Sequence, residues 1–99
     1  MTDFKLQIYA VLHQIPHGYV TTYGDVAKRA GYPGYARQVG KLLSDLPKET
    51  TLPWFRVING KGEISLKGDN AARQIEALRN DGVDVAQGKV SLRKYRWLG

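Results

Sequence analysis

Apolar positions change their period several times along the chain, and each change predicts an element. From Asp3 to Pro16, Phe4, Ile8, Val11, Leu12 and Ile15 recur at the spacing of one buried helix face, and Pro16 ends the run. Gly18 to Thr21 form a turn. "TTYGDVAKRAG" then predicts a second, short helix, with Thr22 as N-cap, Asp25 three residues on as in a capping box, and Gly31 as the stop. Gly24 counts against that helix. In "YARQVGKLLSDL" the residues Ala36, Val39, Leu43 and Leu46 make one apolar stripe, with Arg37, Lys41 and Ser44 on another face.

The period then shortens. "FRVI" and "EISL" around "NGKG" read as two short strands of a hairpin. "NAARQIEALRNDG" predicts a fourth helix built on Ile75 and Leu78 and closed by Gly82, and the residues beyond Gly82 read as irregular or as a short strand around Val90. No repeat, linker or low-complexity stretch interrupts the chain. The expected fold is therefore mainly α with a small β-hairpin: a winged helix-turn-helix, in one domain over residues 1–99.

Composition narrows the chemistry. With 99 residues, 42% of them hydrophobic, the chain can build a core without a staple or a metal. Zero cysteines excludes disulfides, thiolate metal sites and thiol nucleophiles. His13 and His17 have Pro16 between them, which breaks any helical pairing, so no metal site is expected; nor is a cofactor. No apolar run approaches the ~18 residues of a membrane span, and "MTDFKLQIY" lacks a signal-peptide layout. A soluble, cytoplasmic protein with no membrane contact is the expectation.

The formal charge is +6, of which the last eleven residues, "KVSLRKYRWLG", supply +4 through Lys89, Arg93, Lys94 and Arg96. A basic block over about 89–99 fits a nucleic-acid contact, or simply a solvated tail. On charge alone, nucleic acid ranks ahead of an acidic protein or a membrane surface.

From Ile15 to Gly82 the motifs "IPHGYVTTYGDVAKRAG", "ARQVG", "LPWFRVINGKGEI" and "EALRNDG" occur in an order and spacing that resemble the DNA-binding domain of the O6-alkylguanine-DNA alkyltransferases. In those enzymes the active-site motif is proline-cysteine-histidine-arginine-valine. Here it reads Pro53, Trp54, Phe55, Arg56, Val57. Tryptophan in the cysteine position marks the resemblance as one to the alkyltransferase-like proteins, which bind O6-alkylguanine without repairing it and pass it to nucleotide excision repair.

That resemblance implies several roles. Trp54, Tyr23, Pro53, Val57 and Lys67 would form the alkylguanine pocket. Arg37 would enter the base stack in place of the extruded nucleotide, and Tyr23 would turn the 3′ phosphate. Thr22, Tyr35, Ala36, Arg37, Gln38, Gly40 and Lys41 would lie against DNA. Arg56 would be structural, and Asp81 would align with the acidic member of a relay that lacks its histidine. Lys67 would stand where relatives often carry an arginine that senses the base, without the planar fork of arginine.

The residues themselves agree on the chemistry. Alkyl transfer needs an activated nucleophile, whereas an indole N–H only donates a hydrogen bond and a phenyl ring cannot act as a base. A flat indole can stack on a purine, or it can fill a core; Phe55 reads as core, and the resemblance implies that Trp54 faces the pocket. The expected partners are double-stranded DNA containing O6-alkylguanine and nucleotide excision repair proteins, the chain acting as a monomer, nucleoid-associated if bacterial. The alternative is a winged-helix transcriptional or architectural DNA-binding protein.

Overall fold

A computed structural model describes residues 2–99. Its elements are α1 (Thr2–Gln14), β1 (Thr21–Thr22), α2 (Tyr23–Arg29), α3 (Ala36–Ser44), a 3-10 turn (Trp54–Arg56), β2 (Val57–Ile58), α4 (Gly68–Asn80) and α5 (Leu92–Tyr95). It is a mostly helical fold with a two-stranded sheet, of the winged helix-turn-helix type. Thr22 caps α2 as its position implies, its Oγ1 accepting a hydrogen bond from the Asp25 amide at 3.1 Å. Helix α3 is shorter than its apolar stripe, because Tyr35 is the N-cap and Leu46 lies past the end.

The sheet is not the hairpin read from "FRVI" and "EISL". Val57 and Ile58 pair in parallel with Thr21 and Thr22, in register Thr21↔Val57 and Thr22↔Ile58. Burial explains the difference: Val57 and Ile58 are 0% and 1% exposed, so this strand is covered on both faces rather than open to solvent on one, as a surface hairpin would be. Val57 packs into one core cluster with Ile8, Leu12, Val26 and Val39, and Ile58 into a second with Val20, Leu78, Val83 and Val90. Successive strand side chains point to opposite faces, so two residues of β2 separate the two cores. The "NGKG" turn does fold back, with Asn59 Oδ1 accepting from the amides of Lys61 (3.0 Å) and Glu63 (2.8 Å). The "EISL" segment then leaves to meet the later chain, Glu63 bridging to Lys89 and the Ile64 amide donating to Gly88 O at 2.8 Å.

The basic C-terminal block is no free tail. Val90 is buried, and the Val90 amide donates to Gly62 O at 2.7 Å. Gly62 has φ +78°, and a Cβ there would lie 2.6 Å from Val90 O, so the strap needs glycine at this crossing. Farther on, the Val20 amide donates to Tyr95 O (2.9 Å) and the Trp97 amide to Val20 O (2.7 Å). Arg96 forks onto Asp25 with two 3.0 Å hydrogen bonds, and Arg29 lies 4.1 Å over the Trp97 ring. Lys89, Arg93 and Lys94 remain at least partly exposed.

Candidate nucleic-acid interface

A cavity of about 100 Å³ opens between the N-terminus of α2, the C-terminal half of α3, the Trp54 turn and the start of α4. Tyr23, Gly40, Leu43, Trp54 and Leu66 are among its walls, with Lys48, Asn70 and Arg73 as its longer polar members. Trp54 is half-buried. Its ring meets Phe55 edge-on (6.1 Å, 89°), and the Arg73 guanidinium lies 5.6 Å from its centroid. Phe55 turns instead toward the second core cluster. Of the adjacent aromatics, one lines the cavity and the other packs on the core.

The turn carrying Trp54 is fixed from below. Arg56 donates through Nε to Asp81 Oδ2 at 2.6 Å, through Nη2 to Asp81 Oδ1 at 3.2 Å and through Nη1 to Ile15 O at 3.0 Å. One guanidinium therefore joins the end of α1, the Trp54 turn and the end of α4. Gln74 adds a second tie, its Nε2 donating to Phe55 O (3.1 Å) and Val57 O (2.9 Å). Sequence reasoning passed over Gln74; the signal available was a polar residue on the apolar face of α4, four positions before Leu78.

Tyr23 is the first residue of α2 and half-buried, and the nearest atoms to a Cβ placed on Gly40 would be its ring carbons at 3.9 Å. That is ordinary van der Waals contact, so the protein's own packing does not demand glycine at position 40. Arg37, Gln38 and Lys41 lie on α3, with Gln38 and Lys41 exposed and Arg37 open to solvent at the helix start, beside exposed Tyr35 and half-buried Ala36. Lys41 pairs with Asp45 at 3.5 Å, while Arg37 enters no ion pair among the described residues.

Not every expected pocket residue reaches the cavity. Val57 is sealed in the core, so its side chain cannot line the pocket. Pro53 is half-buried and Lys67 is exposed at the N-cap of α4; neither is part of the wall. Thr22 is 5% exposed and spends its hydroxyl on capping α2. Arg73 and Lys48, which the sequence did not single out, supply the cavity's positive charge. Among the described residues no group of three or more side chains could hold a metal ion, and no helix is long and apolar enough to cross a membrane.

Residues 3–83 match the family described as "6-O-methylguanine DNA methyltransferase, DNA binding domain". The chain belongs to this family, among its alkyltransferase-like members. A "DNA base-flipping protein" of Vibrio parahaemolyticus is 58% identical over 98% of both chains. "Alkyltransferase-like protein 1" of Schizosaccharomyces pombe is 40% identical over 98% of this chain and 96% of its own length. The crystal structure of the latter with damaged DNA containing O6-carboxymethylguanine superposes with a TM-score of 0.94, at 39% identity over the whole of this chain and 98% of that one. The Mycobacterium tuberculosis OGT in complex with DNA is similar at a TM-score of 0.73 and 32% identity, over 82% of this chain and half of that one.

Proposed function

We propose that this alkyltransferase-like chain is a non-enzymatic sensor that binds duplex DNA, rotates an O6-alkylguanine out of the stack and holds it in the cavity without dealkylating it. The observation that carries this reading is the cavity walled by Trp54 and Tyr23 and bounded by α3, the helix that presents Arg37 to solvent. The substituent enters the cavity while the purine rests against Trp54. Arg37 fills the gap left in the duplex, and exposed cations of the chain take phosphates.

The energies are compatible. Extruding a base costs a few kcal/mol, and less where the lesion has already weakened its pairing. Stacking on an aromatic returns ~1–3 kcal/mol per base. Phosphate contacts provide the sequence-independent remainder. Alkyl transfer is not part of the scheme, because Trp54 and Phe55 stand where the transferase motif needs cysteine and histidine. With no covalent product, the complex serves as a signal, and excision repair is the process that removes such a base. The chain acts as one domain and as a monomer, at the nucleoid if bacterial.

A paired measurement tests this reading. The chain is titrated with one duplex carrying guanine or O6-methylguanine at a single position and fixed salt, and its intact mass is then recorded. Tighter binding of the methylated duplex with unchanged mass is expected. Equal affinities favour a sequence- or shape-reading winged-helix protein, and a gain of one methyl group shows an enzyme.

A further inference from the structure

We propose that Arg73, with Lys48 beside it, makes the cavity selective for O6 substituents ending in an anion, a carboxylate above all, over neutral substituents of the same size. The inference rests on the sensor reading above and names the charged side chain that would discriminate among adducts.

The cavity wall holds two cations, Arg73 and Lys48, and no aspartate or glutamate. Neither cation enters an ion pair among the described residues, and the nearby Asp45 is paired with Lys41 instead. Arg73 rests over the Trp54 ring and donates one long hydrogen bond, 3.4 Å from Nη2 to Lys48 O. A guanidinium has five N–H donors in a rigid fork that matches the two oxygens of a carboxylate. Most of that capacity is uncommitted here, next to the indole against which the purine would lie.

The remaining surroundings sharpen the effect. Leu43, Leu46, Leu66 and Pro47 supply apolar wall, and a charge read beside such a surface is screened less than one in open water. A methyl or ethyl substituent would touch only that apolar wall. A substituent ending in an acid would reach the guanidinium. Lys67 is exposed and outside the wall, so Arg73 is the better-placed cation for reading the adduct. The fission-yeast relative was crystallised with DNA containing an acid-bearing adduct of this class; the assignment of the charge to Arg73 comes from the present cavity.

The test uses four duplexes that differ at one guanine: unmodified, O6-methyl, O6-carbamoylmethyl and O6-carboxymethyl. The last two have nearly the same shape and differ in charge. The chain is expected to bind the carboxymethyl duplex about fivefold more tightly than the carbamoylmethyl duplex, the upper end for a partly exposed ion pair. In Arg73→Gln the ratio should fall to about one, and Arg73→Lys should restore part of it. Arg73 is exposed, so these variants should keep the wild-type melting temperature. A ratio near one in the wild type, or one unchanged in Arg73→Gln, overturns the proposal; the latter would mean that Arg73 meets a phosphate common to all four duplexes. Loss of the ratio in Lys48→Gln alone overturns the assignment to Arg73. If no modified duplex binds better than the unmodified one, the sensor reading itself fails, and this inference with it.

Discussion

Arg56 grips Asp81 with two hydrogen bonds, at 2.6 and 3.2 Å, and side-chain exposures of 15% and 8% place both charges largely out of water. The same carboxylate has His17 Nε2 at 3.2 Å, but His17 is 71% exposed. Asp81 therefore holds the turn that carries Trp54.

That geometry separates two substitutions at one site. Asp81→Ala leaves the Arg56 guanidinium buried without its partner and should cost about 3–5 kcal/mol of stability. His17→Ala removes a mostly solvated contact and should change stability by no more than about 0.5 kcal/mol. Denaturant unfolding of both variants checks the contrast. Comparable losses would show that Arg56 and Asp81 do not form the main tie.

Gly40 offers a test of the cavity that is independent of charge. It lies inside α3, where replacement of glycine by alanine favours the helix by roughly 0.5–1 kcal/mol. A new Cβ meets only the Tyr23 ring, at a comfortable 3.9 Å. Gly40→Ala should therefore melt a few degrees higher yet bind an O6-methylguanine duplex more weakly, because the methyl group takes up cavity space. A variant that melts higher and binds as tightly as the wild type would show that Gly40 faces neither the base nor the DNA.

The helices were legible in the sequence because their signals are local: apolar spacing in α1, a threonine cap on α2, and Ile75 and Leu78 in α4. The division between Trp54 and Phe55 was legible only through the family resemblance, since an indole at this spacing suits a core equally well. Sheet pairing was not legible. Both residues of β2 are buried, and a two-residue apolar run has no alternation to name its partner, so the nearby "EISL" segment was the natural but incorrect choice. The strap over 89–99 was hidden for a related reason. Its anchors are backbone hydrogen bonds to Val20 and Gly62, which leave no trace in composition, whereas its four cations dominate any count of charge. Arg73 and Lys48 were missed because they come from separate segments that only the fold brings to one cavity.

Arg37 is open to solvent on α3 and outside every ion pair among the described residues, so its removal should leave the fold intact. If it stands in for the extruded base, Arg37→Ala should weaken binding to an O6-methylguanine duplex by about tenfold or more and to the unmodified duplex much less. The magnitude reflects the few kcal/mol of lost stacking that the arginine would otherwise recover. Parallel titrations at one salt concentration decide, and an equal loss on both duplexes would make Arg37 an ordinary phosphate contact.

The central claim is that a modified guanine leaves the helix and comes to rest on Trp54. Replacing Trp97 with phenylalanine makes Trp54 the only tryptophan, so its emission reports that contact alone. At saturation with O6-methylguanine duplex the Trp54 emission should be strongly quenched, and at saturation with the unmodified duplex it should change little. Equal changes with both duplexes, or none with either, would contradict the account.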